Sequence, residues 1–168
     1  GIDVVVVIPA IYEGKPVKVI GKNAFFYCSS LTDIVIPDNV TSIGSYAFYY
    51  CESLTEIVIP NKVTSLSSYS FHSCVKLTSV YIGSGVKTIG REVFADCDSL
   101  TSIIVDENNP YYNSVDGVVY NENFTTLVQY PAGKSNANYT LLDTTKLIMA
   151  YGFAGNFAIE KVTLPEGL

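Results

Sequence analysis

The amino-acid sequence predicts a right-handed, β-rich solenoid in which short coils of 23 residues stack on one another. Three observations predict this fold. Cysteine recurs every 23 residues, and a leucine, a pair of β-branched residues and a phenylalanine keep the same spacing around it. A unit of this length cannot bury its own apolar face, so stacking must create the core. The repeated cysteines are Cys28, Cys51, Cys74 and Cys97.

Each column of the repeat has a structural interpretation, illustrated by the unit from Cys51 to Phe71, CESLTEIVIPNKVTSLSSYSF. The segment L-x-x-I-x-I alternates apolar and variable residues, which predicts a half-buried strand. Pro60 ends that strand, and a second short extended segment carries Val63 and Leu66. A tight turn or a short helical turn then carries the Phe and Cys columns. Equivalent strands are expected to form a parallel sheet with a spacing of about 4.8 Å.

The first coil precedes this regular part and contains five extra residues around Tyr12 to Lys15, where we expect a surface loop. The period breaks again at residues 106–138, where one coil is enlarged by 13 residues. The segments VVY, from Val118 to Tyr120, and TLVQY, from Thr126 to Tyr130, flank a turn and predict a β-hairpin insert.

The repeat register returns after Tyr139, and Asn156 then occupies the Cys column. Residues 1–168 are therefore expected to form a single solenoid domain. The register stops within a repeat at Leu168. An uncapped solenoid end exposes core residues, so we expect either a longer array or end-to-end self-association.

The consensus C-x-x-L-x-x-I-x-I-P-x-x-V-x-x-I-x-x-x-x-F resembles the BspA-type leucine-rich repeats of bacterial surface proteins and of some protozoan ones. The resemblance covers nearly the whole chain. It implies the α/β leucine-rich-repeat fold class, with short helical turns and one β-hairpin insert. It also implies a location at the cell surface or outside the cell, and noncatalytic adhesion to a host protein, the extracellular matrix or another cell.

Composition narrows the possible functions. Hydrophobic residues make up 48% of the chain and charged residues 15%, as in a folded domain rather than a disordered one. The net charge of -6 disfavours nucleic acids and anionic membranes as partners. The longest apolar run, Val4 to Ile8, is much shorter than the roughly 20 residues of a membrane span.

The residues that could carry chemistry favour a noncatalytic protein without cofactor or metal. The Cys column is expected to hold buried free thiols, although its spacing leaves bridges between neighbouring coils geometrically open. His72 occupies a variable column and is expected to be a surface turn residue. The acidic stretch from Asp106 to Asn109, with Asp116 nearby, could offer oxygen ligands to calcium. It matches no known loop spacing, and an ordinary polar turn is the preferred interpretation.

Two sets of outward residues are candidates for binding a protein or glycan ligand. The first is a partly apolar column along the predicted sheet, with acidic residues beside it; the second is an aromatic cluster on the turn side. The alternative interpretations are that β-branched residues simply favour strands and that the aromatics pack along the coil. The chain would then be a structural spacer in a larger surface protein. The candidate residues are Val35, Val58, Tyr81, Ile104, Asp33, Glu56, Tyr49 and Tyr50.

Overall fold

The computed structural model describes residues 4–166, which form a right-handed β-solenoid of about seven stacked coils. Within these residues the regular structure consists of short strands joined by turns. No helix in the described part of the chain is long and apolar enough to cross a membrane. The strands are β1 (Val4–Val7), β2 (Ile11–Tyr12), β3 (Lys15–Pro16), β4 (Val19–Ile20), β5 (Leu31–Val35), β6 (Ser42–Ile43), β7 (Glu56–Ile59), β8 (Ser65–Leu66), β9 (Ser79–Ile82), β10 (Thr88–Ile89), β11 (Ser102–Val105), β12 (Tyr112–Val115), β13 (Val118–Asn121), β14 (Thr126–Gln129), β15 (Asn138–Thr140), β16 (Leu147–Ile148) and β17 (Lys161–Thr163).

Two faces of the solenoid carry the predicted parallel strands. On the first face, β1 pairs with β5, and β7, β9 and β11 form a three-stranded sheet. In this sheet each residue pairs with its equivalent in the next coil, as Glu56 does with Ser79 and Ser79 with Ser102. On the second face, β4, β6, β8 and β10 form a four-stranded parallel sheet. The repeat period therefore sets the register of both faces.

The two irregular regions of the sequence both form antiparallel pairs. The extra residues of the first coil form a hairpin in which β2 pairs with β3, with Glu13 and Gly14 in the left-handed region at φ 48° and 73°. In the enlarged coil β13 pairs with β14, which confirms the predicted hairpin insert. The sequence did not indicate β12, which also pairs with β13. The repeat register returns at β15, which pairs with β17.

The expected helical turns were wrong, because the turn side of each coil follows a different hydrogen-bonding pattern. Tyr46 and Tyr50 have φ of 59° and 58°, so left-handed residues recur four positions apart and interrupt any right-handed helix. The backbone N–H of Phe48, between them, donates to the carbonyl of Ser70 in the next coil at 2.7 Å. The turn side is thus held together by bonds between coils.

Stacked identical columns form the core. The rings of Phe25, Phe48, Phe71 and Phe94 stack with centroid separations of 5.0, 4.9 and 5.6 Å. Leucine, isoleucine and valine columns surround them and are fully buried in the central coils. A second core lies beneath the insert. Its buried residues are Val118, Tyr120, Leu127, Tyr130 and Leu141.

Candidate functional site

An exposed apolar column crosses the first face of the solenoid. We call it the sheet-face ribbon and define it as Val7, Val35, Val58, Tyr81 and Ile104. Its members lie at equivalent outward positions of β1, β5, β7, β9 and β11. The exposed fractions of the four aliphatic residues are 66%, 49%, 61% and 49% in that order, and Tyr81 is half-buried. The structure therefore brings the predicted column together on one accessible surface.

The acidic residues predicted beside the ribbon also lie on this surface. Asp33 and Glu56 occupy equivalent positions of β5 and β7, two residues before the ribbon, and both are exposed. Ser79 and Ser102 hold the same position in β9 and β11. The ribbon is thus negatively charged on one side in the early coils and neutral there in the later ones.

The insert ends the ribbon at Ile104. The backbone N–H of Ile103 donates to the carbonyl of Gly117 at 3.0 Å, and that of Val105 donates to the Ser114 hydroxyl at 3.0 Å. These bonds occupy the edge of β11, which would otherwise be open to another strand.

A cleft interrupts the first face between β5 and β7. These two strands belong to separate sheets, although β7, β9 and β11 pair residue by residue. The cleft has a volume of about 250 Å³ and is lined by Asp33, Ile34, Val35, Ile36, Glu56, Ile57 and Val58. A second depression, under the β2–β3 hairpin, shares Val35 and Ile36 with it. Sequence reasoning did not reveal this cleft.

The aromatic candidates form stacks rather than a flat surface. We call Phe26, Tyr27, Tyr46, Tyr49, Tyr50 and Tyr69 the turn-side aromatic array. Tyr27 stacks on Tyr50 at 4.7 Å, and Phe26 stacks on Tyr49 at 5.3 Å, with rings parallel to within 6°. Each such contact covers a ring face, so Tyr49 and Tyr50 present mainly ring edges and hydroxyls. Desolvation, followed by the neighbouring tyrosine hydroxyls, raises the pKa of Tyr49.

His72 lies in its turn as expected, but most of its surface is covered. Its side chain is 13% exposed and extends the aromatic array, with its ring 5.1 Å from that of Tyr49. Nε2 lies 3.6 Å from Asp96 and 3.8 Å from Glu92, and Nδ1 is 2.8 Å from the Ser73 hydroxyl. These neighbours are acidic and aromatic groups, which differ from the thiol that a Cys–His nucleophile would require.

The cysteines are free thiols, as predicted, and the column has a structural role. Cys51, Cys74 and Cys97 are buried, and each thiol donates to a Phe carbonyl of the preceding coil at 3.2 Å. Burial raises the pKa of Cys51 to about 12. The prediction of burial was wrong for Cys28, which is exposed because it lies at the edge of the stack. Asn156 replaces the thiol in the later coil and donates to backbone carbonyls of the preceding coil, including that of Ala132 at 2.9 Å.

The acidic stretch at the start of the insert forms a hydrogen-bonded turn. Asp106 accepts a bond from the backbone N–H of Asn108 at 2.8 Å and from the Tyr81 hydroxyl at 2.7 Å. These bonds lower the pKa of Asp106, the Tyr81 bond most. Asn109 is buried, and its amide donates to the carbonyls of Gly83 and Val86 at 3.0 and 3.1 Å. Sequence reasoning missed this anchoring role of Asn109, and its likeness to Asn156 is the signal that could have found it.

The fold, the repeated columns and the exposed sheet face define a leucine-rich-repeat protein. Residues 18–129 match six copies of the BspA type leucine rich repeat region. The chain therefore belongs to the BspA-type leucine-rich repeat family, and the resemblance predicted from the sequence is confirmed. Proteins of this family and fold are generally noncatalytic interaction modules. No curated protein matches the chain.

Solved structures of bacterial proteins share this fold. The pneumococcal vaccine antigen PcpA is 28% identical, with a TM-score of 0.83, and the match covers 94% of this chain and 39% of PcpA. A leucine-rich repeat protein from Eubacterium ventriosum is 27% identical, with a TM-score of 0.75, and the match covers 94% of this chain and 47% of that one. The chain thus spans less than half the length of either. A leucine rich cell surface protein from Faecalibacterium prausnitzii, 18% identical with a TM-score of 0.53, shares the fold over 97% of this chain and 70% of that one.

Proposed function

We propose that this chain is a noncatalytic binding module of a bacterial cell-surface or secreted protein, and that the sheet-face ribbon contacts a protein partner. One observation carries the proposal: four aliphatic side chains, each at least 49% exposed, share one face of a rigid sheet. Contiguous exposed apolar area of this kind marks contact surfaces, and solenoids bind partners along such extended faces.

The relatives support a surface location and a contact role. The neighbours include a vaccine antigen and a protein described as a cell surface protein. A host or matrix protein is the partner class that fits this location. A glycan is the second candidate, but sugars stack on open aromatic ring faces, and the stacking of Tyr49 and Tyr50 on neighbouring rings covers those faces. We therefore assign these two tyrosines a secondary part, through their edges and hydroxyls.

A binding screen with ribbon variants tests the proposal. The protein is screened against immobilised matrix proteins, and the variant Val58→Ser/Tyr81→Ser/Ile104→Ser is compared for each partner found. We expect the variant to keep its circular dichroism spectrum and to lose at least about tenfold in affinity, because central apolar contacts dominate interface energies. A matched control is Val19→Ser/Leu147→Ser/Met149→Ser, which removes exposed apolar side chains outside the ribbon.

The outcomes separate binding from a spacer role. Loss of affinity in the ribbon variant alone supports the proposal. Unchanged affinity in the ribbon variant contradicts it. A spacer would need only the stiffness supplied by the stacked columns of Phe48 and Phe71, which the ribbon substitutions leave intact.

A further inference from the structure

The cleft between β5 and β7 exposes backbone that every other seam in this face satisfies. Between β7 and β9, and between β9 and β11, four residues pair across each seam. Across the β5–β7 cleft, the described residues retain one backbone bond, from the N–H of Thr55 to the carbonyl of Thr32 at 3.3 Å, just before the cleft begins. The facing edges of β5 and β7 therefore lack their ladder.

Two local features keep this seam open. At the next seam the N–H of Gly83 donates to the carbonyl of Ile59 at 3.0 Å. The equivalent residue at the open seam is Pro60, which has no N–H to offer the carbonyl of Ile36. In addition, Asp33 and Glu56 occupy equivalent positions on the facing strands, and like charges directly opposite each other destabilise strand pairing.

The lining of the cleft alternates in character because strand residues alternate between faces. Its floor is the inward column of Ile34, Ile36 and Ile57, and its rim carries the outward residues Asp33, Val35, Glu56 and Val58. None of these lining residues is basic. Neither Asp33 nor Glu56 has an ion-pair partner among residues 4–166. The cleft thus combines an apolar floor, unpaired backbone and uncompensated negative charge.

We propose that this cleft docks an extended, basic segment of the protein partner, in which apolar residues alternate with lysine or arginine. The apolar side chains point to the isoleucine floor, and the basic side chains meet Asp33 and Glu56. The segment's backbone bonds to the unpaired edges of β5 and β7, as in strand addition. This inference rests on the proposed function as a binding module and names the chemistry of the partner.

Amide hydrogen exchange tests the open seam without any ligand. Donors alternate sides along a parallel strand. Because the N–H of Gly83 faces the preceding coil, that of Tyr81 faces it also, and so does that of Val58, which is equivalent to Tyr81. We expect the Val58 amide to exchange at least about tenfold faster than the Tyr81 amide. Equal protection of the two amides would overturn the open seam.

A defined peptide tests the occupant. The probe is a nine-residue, fluorescein-labelled peptide in which valine alternates with lysine, and a second peptide has glutamate in place of lysine. We expect the lysine peptide to bind and to slow exchange of the Val58 amide, and the glutamate peptide not to bind. Asp33→Asn/Glu56→Gln should weaken binding by about five- to tenfold. Glu52→Gln/Glu107→Gln, which removes two exposed carboxylates outside the cleft, should leave it unchanged.

A seam-closing variant provides the final arm. Asp33→Ser/Glu56→Ser/Pro60→Gly introduces the residue types that later coils carry at these positions. We expect it to protect the Val58 amide and to abolish peptide binding. Binding of both peptides alike, or unchanged affinity in Asp33→Asn/Glu56→Gln, would overturn the proposal. Self-association that this variant abolishes would overturn it too, since a second copy would then fill the cleft. If the ribbon variant loses partner binding but the lysine peptide never binds, only this inference fails and the proposed function stands.

Discussion

The hydroxyl of Tyr81 donates a 2.7 Å hydrogen bond to Oδ2 of Asp106, which joins the centre of the sheet-face ribbon to the first residue of the insert. This bond is the largest cause of the lowered pKa of Asp106, and the same bond raises the pKa of Tyr81. It also fixes the Tyr81 ring over the edge of β11, so that the ribbon and the insert share one anchored side chain.

Removing this bond should change the titration of Asp106. A carboxyl with a lowered folded-state pKa stabilises the fold above its unfolded pKa, and this stabilisation is lost as the pH falls through the folded pKa. We expect Tyr81→Phe to raise the Asp106 pKa towards its ordinary value, measured by NMR of the carboxyl carbon. Tyr111→Phe, which removes a neighbouring hydroxyl without this bond, serves as the control. An Asp106 titration unchanged in Tyr81→Phe would contradict the assignment.

The sequence predicted the sheet face well because a strand on a buried core has a strict alternation. Once the isoleucine pair was placed inward, Val58 and Glu56 had to face outward, and the constant period aligned them with their equivalents. The hairpin insert followed from two apolar segments around a turn. These features depend on local pattern and register alone.

Other features depend on conformations or neighbours that pattern does not reveal. Left-handed φ at Tyr46 and Tyr50 is uncommon for residues other than glycine, so the turn side suggested a helical turn. The exposure of Cys28 depends on its position in the stack rather than on its column. The open seam arises from Pro60 and from two carboxylates 23 residues apart, which become neighbours only after the coils stack.

The cysteine column should divide into one reactive and three protected thiols. Burial and the raised pKa of Cys51 keep it in the thiol form, which reacts poorly, whereas Cys28 is exposed. We expect one equivalent of a thiol reagent to react with the native protein and four after unfolding, measured by absorbance. Rapid reaction of more than one native thiol would show that the column opens.

Replacement of one buried thiol should reveal its hydrogen bond. Cys74→Ala removes the donor to the Phe48 carbonyl, and we expect a loss of about 1–3 kcal/mol in the free energy of unfolding in urea. Cys74→Ser, which keeps a donor, should recover part of the loss. Cys28→Ala should change the free energy by less than about 0.5 kcal/mol, since exposed sites tolerate substitution.

The buried amide of Asn109 should be essential to the insert. It donates to the carbonyls of Gly83 and Val86 and accepts from the backbone of Tyr111 and Tyr112. We expect Asn109→Ala to cost about 2–3 kcal/mol in the free energy of unfolding, because buried groups lose their partners.

The neighbouring residue provides the control for this substitution. Asn108 is exposed, and its side chain bonds only to Asp106 within the same turn. Asn108→Ala should therefore remain within about 0.5 kcal/mol of the parent protein. Equal losses in the Asn108 and Asn109 variants would remove the special role of the buried amide.

Gly85 should be irreplaceable because neighbouring coils approach each other most closely at this position. A Cβ on Gly85 would overlap the carbonyl oxygen of Asn61 and lie 3.1 Å from that of Val63. Both atoms belong to backbone and cannot move aside without shifting the coil. We expect Gly85→Ala to cost about 1–3 kcal/mol in the free energy of unfolding. Gly21→Ala is the matched control, since a Cβ there meets open space, and it should be neutral or stabilising by up to about 1 kcal/mol. If both variants unfold at the same urea concentration, the coils are not packed this closely.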